Sequence, residues 1–321
     1  MKIDYKIMVD GIDKTENFKL VSMIIKDEMG EKSDSLEITV DDEDYVTEIP
    51  ASKVSIVPYI GLENGLISCG EYTLDHVETT GFPAMMTLFA TAVPLNTSMS
   101  SIKEKTWINF TIAEMVTEIA EQYDLPAALD AEIGAIKIAR INQTSSDIHF
   151  LRKLASEYGA IFKLHSKHLV FVKKGNSASG LLKEIKIQGG IKRDWRHVAA
   201  PLSKFSGVSA SYYDGKKELQ TVLVGEEGKV FKLKTIKKDR SEAERLAKSR
   251  LEAFKNGNET LSFSLNIGPK LSPLELTAGQ SIEIVNLRKG ANGRWLIKNI
   301  EHTLSGGRLE SKFECERGSK R

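Results

Sequence analysis

The chain has 321 residues, of which 41% are hydrophobic and 28% are charged, and its formal net charge is +1. This composition is typical of a globular protein with two or three domains, and no apolar run approaches the roughly 18 residues that a membrane-spanning helix needs. The first residues, MKIDYKIMVDG, lack the apolar core of a signal peptide, so we expect synthesis in the cytoplasm. Two cysteines, Cys69 and Cys315, are too few for a disulfide framework or a cysteine-based zinc site.

Charge is distributed unevenly along the chain. Residues 1–60 carry 7 lysines against 14 acids, whereas residues 181–321 carry 28 basic residues against 17 acids. Such asymmetry favours either a nucleic-acid-binding tail or copies that meet acidic end to basic end. The basic residues are scattered among acids and are not interleaved with aromatics, so we expect no sequence-specific binding of nucleic acid.

The first 95 residues alternate between apolar and polar side chains. The stretches LEITV (36–40) and MTLFATA (86–92) each place their apolar residues at every second position, which is the period of a half-buried strand. Turn signals such as Asp10-Gly11 separate these runs. The pattern predicts an antiparallel β domain over residues 1–95.

Residues 96–174 change to a helical period. Thr111 and Glu114 form a capping-box pattern that predicts the start of a helix, and Pro126 ends the apolar stripe of that helix. The strands AIFKL (160–164) and LVFV (169–172) come later, so the pattern predicts a small α/β domain. The stretch GNSASG at 175–180 is typical of a flexible linker.

The stretch NQTSSDIHFLRKLASEYGA (142–160) holds residue types that also occur in hydrolytic sites. On a helix, Asp147 and His149 would point in different directions and could not form a relay. The apolar residues from Ile148 to Tyr158 recur at helical spacing, and Gly159 stands where a glycine ends a helix. The pattern therefore favours a packed helix over a catalytic cluster.

Alternation returns in residues 181–321, most clearly in LSFSLNI (261–267). One helix interrupts it, for which Ser241 and Glu244 supply a capping-box pattern and Asn256-Gly257 an end. These features predict a second β domain with one inserted helix. The alternation of LESKFEC (309–315) predicts that Cys315 is a small core residue.

Two blocks of the predicted β domains match. GEYTLDHVETT (70–80) and GRWLIKNIEHT (293–303) share six positions at equal spacing: Gly70 with Gly293, Tyr72 with Trp295, Leu74 with Ile297, Val77 with Ile300, Glu78 with Glu301 and Thr80 with Thr303. Chance matching in β-rich sequence is the alternative. The blocks predict that the two β domains are related folds.

No pattern of catalytic, cofactor-binding or metal-binding residues stands out. His165 and His168 are the only close pair of histidines, and their spacing on a strand predicts that they face opposite ways. The acidic stretch DDEDY (41–45) lacks the glycine that a calcium loop needs at its sixth position. Hydrolase, nucleotide-binding and dinucleotide-binding motifs are absent, so we assign no site residues and expect no cofactor.

Four blocks in order resemble the phage late control protein D family: SDSLEITVDD (33–42), GEYTLDHVETTGFP (70–83), INQTSSDIHFLRKLASEYGA (141–160) and RWLIKNIEHTLSGG (294–307). That family is similar to the baseplate hub of contractile phage tails and to the hub half of the type VI secretion spike protein. The resemblance implies a non-enzymatic homotrimer whose six near-equivalent β-barrels join a six-fold tail tube to a three-fold central spike. The implied partners are the tail tube and the spike, with tape measure and baseplate wedge proteins as further candidates.

The sequence therefore predicts an α+β, mostly β fold with two similar β-barrel domains flanking a small α/β domain. The predicted role is a structural hub, made in the bacterial cytoplasm and built into the baseplate of a contractile phage tail or a phage-tail-like particle. A tail-associated cell-wall hydrolase is the first alternative. A nucleic-acid-binding protein, favoured only by the basic carboxyl-terminal region, is the second.

Overall fold

The structure, a computed structural model, describes residues 3–29, 33–43, 45, 47–50, 53–62, 65–92, 97–165, 168–173, 185–188, 194–199, 205–216, 218–256, 259–266 and 272–317. Strands dominate these residues, and the few helices lie mainly in the middle of the chain, which confirms the predicted mostly β class. The predicted linker at 175–180 lies outside the described residues.

The first β region contains eight strands: β1 (Ile3–Val9), β2 (Ile12–Asp13), β3 (Leu20–Glu28), β4 (Ser35–Asp41), β5 (Ser55–Leu62), β6 (Gly65–Ser68), β7 (Tyr72–Gly81) and β8 (Ala84–Thr91). Six of them lie side by side in the order β3-β4-β8-β7-β5-β1, and every pair is antiparallel. The predicted alternation is confirmed, because the apolar positions of β4 and β8 are buried and their neighbours are not.

The middle region contains β9 (Lys105–Thr111), α1 (Ile112–Glu121), β10 (Ala127–Leu129), α2 (Ala131–Gly134), β11 (Lys137–Gln143), α3 (Asp147–Tyr158), β12 (Ala160–His165) and β13 (His168–Lys173). The capping box that starts α1 is present, since Thr111 accepts from the Glu114 backbone and the Glu114 side chain accepts from the Thr111 backbone. The helices pack on two small sheets, β9-β11 and β10-β13-β12, around one hydrophobic core.

The second β region contains β14 (Ile185–Gln188), β15 (Trp195–Ala199), β16 (Gly207–Tyr213), β17 (Leu219–Gly225), β18 (Val230–Lys237), α4 (Arg240–Asn256), β19 (Glu259–Asn266), β20 (Ser281–Val285), β21 (Gly293–Ser305) and β22 (Arg308–Arg317). The predicted insertion is larger than one helix, because β16 to β18 form a separate sheet on which α4 packs. The predicted capping box at Ser241 was wrong: Asp239 accepts from the Glu242 backbone at 2.9 Å, two residues earlier than expected.

The two β regions share one topology. The second region runs β15-β19-β22-β21-β20-β14, so its six strands repeat both the spatial order and the chain order of the first region. The insertion of β16 to β18 and α4 stands where the first region connects β3 to β4. One pair differs, since β14 is parallel to β20 whereas β1 is antiparallel to β5. The pairings of the described residues leave both regions open, so they form barrel-like sheets that these pairings do not close.

Local irregularities repeat at the matched positions. The ladder of β7 with β8 shifts register after Leu74, and the ladder of β21 with β22 shifts after Ile297, which is the matched residue. The glycines that begin the two blocks both have positive φ, +107° at Gly70 and +113° at Gly293. Bulges and positive-φ glycines are specific features of a backbone and rarely coincide without a common fold. The two matched blocks therefore occupy equivalent places in a duplicated topology.

The aromatic residues of the two blocks also have the same role. Tyr72 and Trp295 are 3% and 0% exposed, and each donates a hydrogen bond to the backbone that precedes its strand. The Tyr72 hydroxyl donates to the Cys69 carbonyl at 2.9 Å, and the Trp295 indole Nε1 donates to the Ala291 carbonyl at 2.8 Å. Each aromatic side chain thus fixes the loop that leads into its own strand while its ring fills the core.

Candidate assembly surfaces

Residues 147–158 of the segment at 142–160 form a packed helix, as predicted. Ser146 caps α3 by accepting from the His149 backbone, and Gly159 ends it with φ +66°. The His149 side chain is exposed, whereas Leu151 and Leu154 are buried. The helix therefore contributes to the core and presents no catalytic relay.

Asp147 was not expected to be buried, yet only 2% of its surface is exposed. Its carboxylate accepts from Lys103 Nζ at 2.6 Å, from Gln143 Nε2 at 2.6 Å and from the Tyr123 hydroxyl. Burial alone would raise the pKa of Asp147, but hydrogen bonds from Lys103, Tyr123 and Gln143 outweigh it and hold the pKa below its usual range. The Asp147 carboxylate is thus fully partnered and ties α3 to the strand and helix before it.

Leu151→Ala should lower the free energy of unfolding by about 2 to 5 kcal/mol, because the side chain is completely buried in the middle core. His149→Ala, on the exposed face of the same helix, is the matched control and should stay within about 0.5 kcal/mol. Urea unfolding of both variants measures the difference. A large loss of stability for His149→Ala with little for Leu151→Ala would instead show that the exposed face, and not the apolar face, holds the helix in place.

The sequence predicted no metal site at the His165 and His168 pair or in the acidic stretch at 41–45. The register of β12 and β13 places His165 directly opposite His168 across a hairpin, whereas their expected placement on opposite faces assumed one continuous strand. In the acidic stretch, Asp41 and Asp42 accept from the backbones of Glu43 and Thr47 at 3.0 and 3.1 Å, which is the geometry of a loop stabilised by its own acids. Across the described parts of the chain, no group of three or more His, Cys, Asp or Glu residues is placed to hold a metal ion.

A buried ion cluster joins all three regions. Lys163 in β12 is 8% exposed and contacts the carboxylates of Asp27 in β3 and Asp34 before β4, the latter at 3.5 Å. The second oxygen of Asp27 accepts from the backbone of Ala278, in the second β region, at 3.0 Å. Burial alone would lower the pKa of Lys163, but the two carboxylates raise it above its usual range and keep the amine charged. This cluster fixes the middle region against both β regions.

The pKa of Asp34 is raised to about 6, mainly by burial, which Lys163 opposes and Asp27 reinforces. A carboxyl group with a higher pKa in the folded state binds its proton more tightly when folded, so this group adds stability as the pH falls below about 6. The contribution is complete below the usual Asp pKa and is lost as the pH rises through 6.

Asp34→Asn should remove this pH dependence. We expect the wild-type protein to gain stability relative to Asp34→Asn between pH 6 and pH 4, as followed by urea unfolding at each pH. An identical pH profile for the two proteins would show that Asp34 does not titrate in this range.

One sheet runs through both β regions. The second half of β21, from Asn299 to Ser305, pairs antiparallel with β3, so the first and second regions share backbone hydrogen bonds. His302 lies in this shared part opposite Ile25, is 5% exposed and contacts Ser311 Oγ at 2.7 Å. Burial lowers the pKa of His302 to about 4, so the ring is neutral near pH 7 and no charge is buried at the junction of β3 with β21.

Several apolar side chains lie exposed at sheet edges and turns. The hairpin tip between β7 and β8 carries Phe82, which is fully exposed, and β15 carries Trp195 and Val198 at 37% and 39% exposure. Exposed apolar residues on an unpaired strand edge are a common sign of protein contact. The edges of β7 and β15 are therefore candidate assembly surfaces.

If copies met acidic end to basic end, Lys232, Lys234 and Lys237 of β18 would be a candidate basic face, and only part of that face is present. Lys237 is half-buried and lies 3.5 Å from Glu242 and 3.9 Å from Glu157 of its own chain. Lys232 is exposed, and the side chain of Lys234 lies outside the described residues. Charge pairing through these three lysines is a weaker basis for contact between copies than the strand edges.

None of the helices formed by the described residues is both long and apolar enough to cross a membrane.

Comparison with known proteins places the chain in a family. A family model described as "Phage tail baseplate hub (GPD)" matches residues 97–307. The "Probable baseplate hub protein" of Escherichia phage P2 is 25% identical over 98% of this chain and 92% of its own length.

Two solved structures share the fold. A tail protein from Neisseria meningitidis MC58 covers 99% of this chain and 97% of its own, with a TM-score of 0.75 at 12% identity. An E. coli component of the type VI secretion system, described as similar to the T4 phage tail proteins gp27 and gp5, covers 98% of this chain and 77% of its own, with a TM-score of 0.59 at 14% identity. Since the family model spans well over half of the sequence, this chain belongs to the phage tail baseplate hub (GPD) family.

Proposed function

We propose that the chain works as a homotrimer, in which three copies present six near-equivalent β regions as one ring. Members of its family are structural hub proteins, so the chain is a baseplate hub component and not an enzyme. The ring would match six-fold symmetry on one side through its β regions and three-fold symmetry on the other through the chains themselves. It would thereby join the tail tube to the central spike.

The duplicated topology carries this proposal. Six strands recur in the same spatial order in both β regions, and the matched bulges and glycines lie at equivalent places. Two similar units joined by a shared sheet within one chain are what a three-chain ring needs to approximate six-fold symmetry. A chain with a single β region could match only three positions of a six-fold tube.

The proposed partners are the tail tube protein on the six-fold side and the spike protein on the three-fold side. Tape measure and baseplate wedge proteins are further candidates at the periphery. We propose synthesis in the bacterial cytoplasm, followed by incorporation into the baseplate of the particle. We expect no sequence-specific contact with nucleic acid, because the basic residues of the carboxyl-terminal region are interspersed with acids.

The mass of the protein in solution tests the proposal. The purified 35.6 kDa chain, alone and together with the tube and spike proteins of the same particle, is measured by native mass spectrometry and sedimentation. A species of three chains is expected. A chain that stays monomeric even with both partners present would contradict the trimeric hub.

A further inference from the structure

A strand pairing inside the chain shows how its two β regions join. The first half of β21 pairs with β20 of its own region, and the second half pairs with β3 of the other region. The junction therefore uses two strand edges. One is the edge of β3 on the side away from β4, and the other is the far half of β21, from Asn299 to Ser305, on the side away from β22. Lys26 and Glu301 lie opposite each other in this ladder, with Nζ and Oε2 3.5 Å apart.

The duplication places a second set of the same edges on the surface. The counterpart of β21 is β7, and the counterpart of β3 is β15. The far half of β7 runs from Val77 to Gly81. Within the described chain, no strand pairs with this half on the side away from β8, and none pairs with β15 on the side away from β19. The first region thus lacks a partner for its β7 edge, and the second region lacks a partner for its β15 edge.

We propose that β15 of one copy pairs antiparallel with the far half of β7 of the next copy, in the register that β3 and β21 use within the chain. This inference rests on the proposed ring and assigns its intersubunit contact. The occupant of each edge is a second copy of this chain, because the chain already contains one example of the same junction with both edges present.

The register follows from the observed ladders. Met23 lies opposite Ile38, and Trp195 lies opposite Phe263, the residue that occupies the place of Ile38 in the second region. Trp195 is therefore the counterpart of Met23, just as Gly81 is the counterpart of Leu304. Transferring the β3 and β21 pairs gives four pairs between copies: Val77 with Ala199, Glu78 with Val198, Thr79 with His197 and Thr80 with Arg196.

The ends of the two edges agree with this register. The Tyr45 hydroxyl donates to the Gly81 carbonyl at 2.9 Å, so the tip of the β7 hairpin is held by its own chain and the pairing ends at Thr80. On β15, the exposed apolar residue Val198 lies within the pairing, and the exposed Trp195 lies next to its last pair. Burial of such side chains supplies the apolar contact that a lone strand pair lacks.

The geometry is head to tail. Each copy offers one β7 edge and one β15 edge, which are different surfaces, so the same contact repeats from copy to copy until the ring closes. Three internal junctions and three junctions between copies then alternate around the ring. Each β region meets both of its neighbours through the same kind of strand pair.

Charge at one position gives a direct test. Val198 takes the place of Lys26 and faces Glu78, which takes the place of Glu301. Val198→Lys should therefore leave trimer formation intact, because it recreates the pairing of Lys26 with Glu301. Val198→Glu should raise the concentration at which half of the trimer dissociates by roughly tenfold or more, since like charges directly opposite each other repel at three junctions. Glu78→Lys combined with Val198→Glu should restore it.

These variants distinguish contact from folding. Both positions are on the surface, and a merely structural role for Val198 would make Lys and Glu equally harmful. Sedimentation over a range of concentrations measures the trimer. Equal effects of Val198→Lys and Val198→Glu, or failure of the double variant to recover, would overturn the proposed register.

Disulfide trapping tests the same pair by distance. In a Cys69→Ser background, a chain with Glu78→Cys is mixed with a chain with Val198→Cys, in the presence of the tube and spike proteins. Residues directly opposite each other in an antiparallel ladder have Cα atoms roughly 4.5 to 5.5 Å apart, within disulfide reach. A crosslink between the two chains is expected on mild oxidation.

Two controls accompany this experiment. Lys26→Cys with Glu301→Cys in one chain should crosslink internally, because that pair is seen in the structure. Val198→Cys mixed with Lys312→Cys, which is exposed but not opposite it, should not crosslink. If the chain forms trimers without the Glu78 to Val198 crosslink, the strand pairing is wrong and the hub function stands. If the chain remains monomeric with its partners present, both fail.

Discussion

Lys163→Met is expected to lower the free energy of unfolding by about 3 to 5 kcal/mol. The substitution keeps a long unbranched side chain but leaves the carboxylates of Asp27 and Asp34 without their buried cation. Removing one partner of a buried ion cluster costs more than the cluster contributes, because the remaining charge stays out of water. Urea unfolding at pH 7 measures the loss.

The matched control is Lys26→Met in β3, next to Asp27. Lys26 pairs with Glu301 at the surface, where its side chain is 46% exposed, and water screens the remaining charge. We expect a change within about 1 kcal/mol. Adding Asp27→Asn and Asp34→Asn to Lys163→Met should recover much of the loss, since no unpaired charge is then buried. Equal effects of the two lysine substitutions would show that the cluster is not a stabilising junction.

Trp295→Ala is expected to cost about 3 to 5 kcal/mol, because the ring is completely buried and the substitution leaves a large cavity. The ring also contacts the guanidinium of Arg317, 4.6 Å from its centroid, and the His197 ring edge-on. The equivalent Tyr72→Ala in the first β region should cost a similar amount, since the two residues have the same place and the same bond to the preceding loop. Thermal and urea unfolding of the isolated chain measure both losses.

Trp195→Ala provides the control of the same residue type. Trp195 is 37% exposed at the outer edge of β15, so its removal should cost much less in the unassembled chain than that of Trp295. Trp295→Phe separates the ring from its hydrogen bond, because it keeps most of the volume and leaves the Ala291 carbonyl without the indole donor; we expect about 1 to 3 kcal/mol. Similar costs for Trp195→Ala and Trp295→Ala would contradict the assignment of Trp295 as a core residue.

The sequence determined features that depend on near neighbours along the chain. Alternation identified β4, β8 and β19 because successive side chains of a strand point to opposite faces. The capping box of α1 and the glycine that ends α3 were predicted because helix ends are stabilised by residues within four positions. The matched blocks indicated the duplication because a repeated fold keeps the same residues at its glycine and core positions.

Short-range patterns misplaced or missed features where a distant element intervened. Asp239 and not Ser241 caps α4, and the sheet of β16 to β18 beneath that helix was not predicted. Burial does not alternate along β16, whose first four residues are all buried, and the sheet is stabilised by packing against α4.

Only the tertiary structure decided which residues meet across long stretches of chain. Asp147 finds Lys103 at a separation of 44 residues, and Lys163 finds Asp27 at 136, so no local pattern shows that these carboxylates are buried and paired. The pairing of β3 with β21 joins residues more than 270 positions apart, and it alone shows which strand edges a copy leaves open. Strand edges carry the same backbone donors and acceptors whatever their side chains, so the choice of partner is made by the fold that brings two edges together.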